Sequence, residues 1–216
     1  MKRSRELAVA GAVELIRPVF RDHRGSTVAP FQQSAFREAT GRPPFRVAQT
    51  FLSVSARGVV RGVHYTATPP GGAKFVTCVR GGALDIVVDL RVGSPTFGRH
   101  AAVRLDADEG RAVYLPVGVG HVFVALEDDT VMSYLLSTEY AAADELAVAP
   151  LDPRLGLPIP PDVSPVVSAR DAAAPTFAEA AEAGLLPDYG RCLEAEALAN
   201  AEAAHSQERQ GEPSGR

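Results

Sequence analysis

Two imidazoles, a phenol, an ammonium and a guanidinium stand in one β-patterned stretch of this chain. His64 lies in R-G-V-H-Y (61–65) and His121 in L-P-V-G-V-G-H-V-F (115–123). Tyr134 ends V-M-S-Y, and Lys74 opens K-F-V-T-C-V-R. Arg61 lies three residues before His64. A base, a cation and a phenol are what proton transfer at a carbon beside a carbonyl requires. A lone histidine of this kind is more often structural, bonded to a backbone carbonyl. The other four groups shift the balance toward chemistry. Lys74 stands out further because lysine occurs only at Lys2 and Lys74, every other side-chain cation being arginine or histidine. A compact, rotatable ammonium is not replaceable by a planar guanidinium. The competing reading of Lys74 is a residue left on a solvated strand edge. A catalytic metal is not expected. The strand Val63-His64-Tyr65-Thr66 lacks the H-x-H of metal-binding barrels, no glutamate follows at the usual distance, and an ammonium beside a metal would be repelled.

These residues need short strands to hold them. From Phe45 to Leu136 the chain reads as runs rich in Val, Phe, Tyr, Ile and Thr, separated by ARG, PPGG, RGG, GSP, ADEG, PVGVG and EDD breaks. This spacing predicts an all-β sandwich or barrel, with no βαβ alternation, G-x-G-x-x-G or P-loop. Simple strand alternation puts Arg61, Val63 and Tyr65 on one face and Gly62, His64 and Thr66 on the other. Residues 8–33 read as short extended pieces broken at the D-H-R-G turn. Helices are expected over Gln33–Glu38, Ala178–Leu185 and Leu193–Ala204, and a disordered tail over 205–216.

Composition is that of a soluble globular protein: 216 residues, 46% hydrophobic and 22% charged. The length suits one domain over 1–200, with a core barrel over about 45–140 and a helical segment over about 170–204. A net charge of −4 disfavours a nucleic-acid polymer as partner. No run approaches the roughly 18 apolar residues of a membrane span. Cys78 and Cys192 lie far apart, without metal spacing or a disulfide framework, and no signal peptide is read at the start. A cytoplasmic location is the expectation.

Eight blocks together resemble the dTDP-4-dehydrorhamnose 3,5-epimerase (RmlC-like) family. They are F-R-D-H-R-G (20–25), V-V-R-G-V-H-Y (59–65), A-K-F-V-T-C-V-R-G (73–81), D-I-V-V-D-L-R-V-G-S-P-T-F-G (85–98), Y-L-P-V-G-V-G-H-V-F (114–123), Y-L-L-S-T-E-Y (134–140), D-P-R-L-G-L-P-I-P (152–160) and V-S-A-R-D (167–171). The resemblance implies an all-β, cupin-type jelly-roll barrel with short C-terminal helices and neither cofactor nor metal. It further implies a homodimer whose N-terminal strands add to the partner's sheet. The substrate it implies is a dTDP-linked 4-keto-6-deoxy sugar. It assigns His64 as catalytic base, Asp171 as the carboxylate orienting it, Lys74 as the cation at the enolate oxygen and Tyr134 as the acid on the opposite face. His121 becomes a further pocket histidine, and Arg24, Gln49, Arg61 and Tyr140 bind the nucleotide part.

These roles are mutually consistent. A proton beside a ketone is weakly acidic, so the enolate must be stabilised as well as the proton removed. A carboxylate on the far nitrogen of the base fixes its tautomer. Inversion demands a second group on the other face, because a single base returning its own proton restores the starting centre. The chain also departs from the rhamnose enzymes: Ala29 stands where glutamate is common, Thr50-Phe51 replaces a polar pair, and Leu135 replaces a lysine. These departures resemble the deoxysugar epimerases of antibiotic pathways, and the blocks F-R-V-A-Q-T (45–50), R-G-V-V-R-G-V-H-Y-T (57–66) and A-V-Y-L-P-V-G-V-G-H-V-F (112–123) resemble the dTDP-4-keto-6-deoxysugar 5-epimerases of antibiotic deoxysugar biosynthesis. Carbon 5 is therefore the expected centre, with carbon 3 as the further one. The alternatives are a 3,4-ketoisomerase, a 3-epimerase, a non-enzymatic sugar-sensing cupin and a metal-dependent oxygenase.

Overall fold

The computed structural model describes residues 3–211. Its strands are β1 Ser4–Glu6, β2 Val13–Ile16, β3 Val19–Asp22, β4 Gly25–Val28, β5 Gln49–Ser55, β6 Val59–Thr66 and β7 Lys74–Arg80, followed by β8 Gly82–Asp89, β9 His100–Asp106, β10 Arg111–Leu115, β11 Val119–Ala125, β12 Thr130–Leu136, β13 Glu145–Ala147 and β14 Val166–Val167. The helices are α1 Gln33–Thr40, α2 Ala169–Ala172, α3 Phe177–Glu182 and α4 Tyr189–Gly211.

Two sheets face each other as a jelly-roll barrel. One runs β1-β2-β10-β7-β12-β5; the other runs β13-β6-β11-β8-β9, with β14 parallel to β6. The β3–β4 hairpin stands apart as a two-stranded sheet. All eight runs between Phe45 and Leu136 form strands, as their β-branched and aromatic content predicts. The barrel is wider than residues 45–140, however, since β1 and β2 extend one sheet and β13 the other.

Alternation decides what each face meets. Inside the barrel, Val76, Cys78, Leu115 and Met132 of the first sheet pack with Val87, Leu105, Val119 and Phe123 of the second. The outer face of the second sheet, with Val60, Val63, Tyr65, Ile86 and Val122, is covered by Val148, Leu155, Val163, Ala180 and Leu186 from the C-terminal third. This double covering explains why I-V-V and H-V-F-V read as unbroken apolar runs rather than alternating ones. On the first sheet, Phe36 of α1 lies edge-on to Tyr114 at 4.9 Å, beside Phe75. Gly41 ends α1 at φ 68°, a left-handed stop natural to glycine.

The C-terminal helices differ from expectation. A short helix, α2, precedes α3; Ser168 caps it by accepting the Asp171 N–H at 3.0 Å. The tail expected from 205 onward is helical as far as Gly211, and 212–216 lie outside the described residues.

Candidate active site

A cavity of about 340 Å³ opens between the two sheets. His64 and His121 enter from the second sheet, on β6 and β11, where they face each other as register partners. Lys74 and Tyr134 enter from the first sheet, on β7 and β12. Imidazole and phenol therefore come from opposite walls. Lys74 lies on a central strand, between β10 and β12, with its side chain only 12% exposed, so the reading as a solvated strand edge falls.

His64 Nε2 meets Asp171 Oδ1 at 2.7 Å, leaving Nδ1 as the remaining ring nitrogen. Asp171 comes from α2, 107 residues later in the chain, and is 3% exposed. Burial by itself would raise the Asp171 carboxyl. The His64 hydrogen bond and charge, the Gly62 N–H at 3.4 Å and Ser168 outweigh it and hold the group below its ordinary 3.8. The dyad is thus a carboxylate against an imidazole. Burial, reinforced by the Asp85 carboxylate, pushes the Tyr134 phenol well above its ordinary 10.0, so it keeps its proton throughout the neutral range.

A second imidazole–carboxylate pair lies deeper. His121 Nε2 meets Asp85 Oδ2 at 2.6 Å, and the His121 ring stands edge-on to Tyr134 at 5.7 Å. Asp85 is buried on β8 opposite Phe123, diagonal to His121, and its Oδ1 is without a hydrogen-bond partner. Lys74 Nζ donates to Glu145 Oε1 at 3.2 Å, and the Thr66 hydroxyl donates to Oε2 at 3.3 Å. Glu145 reaches the cavity because β13 pairs with β6 in a register that sets Glu145 opposite Thr66.

The alternation expected along β6 needs correction. Arg61 and His64 both line the cavity although their offset of three would put them on opposite faces of a regular strand, whereas Val60, Val63 and Tyr65 face the outer core. The β6–β11 register slips between His121 and Phe123, and this bulge resets the parity. Gly62 occupies it at φ +127°, with the His121 carbonyl and Val122 so close that a Cβ has no room. Arg61 then crosses to β5, where Nε donates to Ser55 Oγ at 3.1 Å.

At the mouth, Gln49 Oε1 accepts the Tyr140 N–H at 2.7 Å, and Phe51 packs on Tyr134 at 5.7 Å. Eight of the nine expected site residues thus border the cavity or, for Asp171, bond a residue that does. Arg24 does not. It sits exposed on the β3–β4 turn, paired with Asp22. Sequence reasoning missed Asp85, Glu145 and the cavity-lining Arg170, whose Nη2 donates to the Glu145 carbonyl at 2.7 Å. An acid inside an apolar strand run signals Asp85; nothing local signals Glu145. Among the described residues no three His, Cys, Asp or Glu side chains are grouped to hold a metal ion.

Residues 6–179 match the family model described as dTDP-4-dehydrorhamnose 3,5-epimerase. The chain belongs to this family. It is 49% identical over 183 residues to a dTDP-4-dehydro-6-deoxyglucose 3-epimerase of Streptomyces bikiniensis, covering 85% of this chain and 93% of that relative. Among solved structures it is similar to ChmJ, a 3'-monoepimerase of Streptomyces bikiniensis in complex with dTDP-quinovose. The TM-score is 0.85 and the identity 47%, over 90% of this chain and 98% of that one. It is also similar to NovW, a 4-keto-6-deoxy sugar epimerase from the novobiocin biosynthetic gene cluster of Streptomyces spheroides. There the TM-score is 0.84 and the identity 49%, over 88% and 94% of the two chains.

Proposed function

We propose that this chain is an isomerase that epimerises a dTDP-linked 4-keto-6-deoxyhexose beside its ketone, at carbon 5 with carbon 3 as the further centre, in deoxysugar biosynthesis for an antibiotic. The observation that carries the reading is the placement of a carboxylate-bound imidazole and a protonated phenol on opposite walls of one cavity, with an ammonium on β7, the strand beside the one that bears the phenol.

In this reading His64 removes the proton from the carbon flanking the ketone, and Asp171 holds the imidazole in the acting tautomer and stabilises its protonated form. The electron pair moves onto the carbonyl oxygen. Lys74 faces that oxygen and stabilises the enolate electrostatically, with Glu145 and Thr66 fixing the ammonium in place. Tyr134 then delivers a proton to the opposite face of the carbon, which inverts the centre. His121, braced by Asp85, lines the cavity against the Tyr134 ring. Arg61, Gln49 and Tyr140 take the nucleotide diphosphate and base, for which a guanidinium and an aromatic face are suited.

The experiment is incubation with dTDP-4-keto-6-deoxyglucose in deuterated water. Deuterium gain at carbon 5, carbon 3 or both, with inverted product by NMR, is the expected result. Absence of exchange at both centres overturns the reading. Both comparisons with Streptomyces bikiniensis above are to a 3-epimerase by name, so the assay reads both positions on equal terms. A product with its carbonyl moved to carbon 3 would establish the ketoisomerase instead.

The working form in this proposal is a homodimer in the cytoplasm. The β3–β4 hairpin exposes Phe20 and Val28, and the edge strand β5 exposes Leu52 and Val54. Apolar residues so arranged need cover, and a second copy gives Arg24 a cavity to reach. Among the described residues no helix is long and apolar enough to cross a membrane.

A further inference from the structure

The last helix lies outside the stretch that the family model matches, yet it is tied to the loops that carry the cavity's residues. Glu196 of α4 is only 8% exposed. Its Oε1 accepts the backbone N–H of Val117 at 2.9 Å, and its Oε2 pairs with Arg42. Val117 sits in the turn between β10 and β11. On one side of this turn Leu115 is the register partner of Lys74; on the other the strand runs directly to His121.

A second contact reaches the other loop. Cys192, one turn earlier on α4, is 1% exposed and directs its thiol to the Thr68 hydroxyl at 3.8 Å. It also fills the space where a Cβ on Gly118 would lie. Thr68 belongs to the loop joining β6, with His64 and Thr66, to Lys74. Val117 itself lies against Gly71 of that loop. The helix start is held in turn: the Tyr189 N–H donates to the Val92 carbonyl at 2.9 Å, and Arg91 lies 5.0 Å from the Tyr189 ring centroid. One helix therefore spans both connections that set the spacing of His64, Lys74 and His121.

We propose that α4 is a positioning element for the epimerisation and that Glu196 is its positioning residue, fixing the turn at Val117 and thereby the placement of Lys74 and His121 against the substrate carbonyl. The proposal rests on the epimerase reading only for its kinetic test. A buried carboxylate accepting a backbone N–H satisfies a donor that would otherwise be orphaned, and a paired charge there is costly to lose. Displacements well below the size of an atom at such a turn slow a reaction whose rate depends on alignment, while leaving distant nucleotide contacts intact.

The test compares Glu196→Ala, Glu196→Gln and Val163→Ala, the last being a core truncation on the far face of the second sheet. We expect Glu196→Ala to lower kcat about tenfold with dTDP affinity held within about twofold. Glu196→Gln keeps an oxygen for the Val117 N–H and should recover to within about threefold of the parent. Val163→Ala should lose thermal stability without losing kcat. Backbone amide exchange over residues 115–121 needs no substrate: it should rise at least about tenfold in Glu196→Ala and not in Glu196→Gln. Unchanged kcat in Glu196→Ala, an equal fall in Val163→Ala, or dTDP affinity falling in step with kcat would overturn the proposal. So would unchanged amide protection, even if the parent enzyme proved to act on another sugar. Should Glu196→Ala fail to fold, Arg42→Met decides. It leaves Glu196 unpaired and should cost at least about threefold in kcat, and an unaltered kcat refutes the proposal.

Discussion

At the scale of single residues, the proposed mechanism separates proton removal from proton return. Replacing His64 by Asn removes the imidazole held by Asp171, so deuterium exchange and inversion should fall together, by about 10³-fold in kcat. Tyr134→Phe should act differently. The base remains, and the proton it removes still exchanges with solvent. Delivery from the other wall is lost, so inversion should slow about 10²-fold while isotope wash-in at the same carbon slows less. Equal losses in both readouts would assign the phenol to enolate stabilisation instead. The base, phenol and ammonium were legible because each interrupts a strand pattern with a side chain that packing alone does not require. Glu145 was not. It follows the Y-L-L-S-T-E-Y block in an irregular stretch, and only the pairing of β13 with β6 brings it to Lys74. Asp171 entered through family resemblance, although Ser168 three residues before it is a readable helix-cap signal.

Among the elements, β6 is the most constrained. Its bulge places Arg61 and His64 on the same side, and Gly62 makes the bulge possible by letting the β11 backbone approach. Gly62→Ala meets both a crowded neighbour and a positive φ. We expect a loss of about 3 kcal/mol in urea unfolding, with weakened dTDP binding as Arg61 turns from the cavity. The strands themselves could be read from Val, Ile, Phe and Thr runs between glycine and proline breaks, because those patterns are local. The bulge could not, because it depends on which strand lies alongside. β13 and β14 escaped for the same reason: each is too short to show a period, and each exists only because β6 offers an open edge.

For the molecule as a whole, buried carboxylates set the response to acid. Burial would raise Asp89, but Arg91, Ser94 and Thr96 overcome this and hold it below its ordinary 3.8; Asp171 is lowered likewise. A depressed folded-state value favours the native chain above the ordinary value, and that contribution is lost as pH falls through 3.8 toward the folded value. Denaturation midpoints should therefore be flat near neutrality and fall steeply below about pH 4. Asp89→Asn should cost about 3–5 kcal/mol at neutral pH and flatten the acid limb, since it leaves the buried Arg91 unpaired. The dimer proposal predicts a mass near twice 22.8 kDa by light scattering. It also predicts that Arg24→Ala weakens dTDP binding despite lying outside its own subunit's cavity; unchanged affinity would remove that residue from the site. The chain order of the dyad has a bearing on biosynthesis in the cell. The strands that bear His64, Lys74, His121 and Tyr134 have all been made by position 136, but the imidazole waits for a carboxylate that the ribosome adds later. If Asp171 acts as proposed, a polypeptide truncated before it lacks turnover even where its strands have paired.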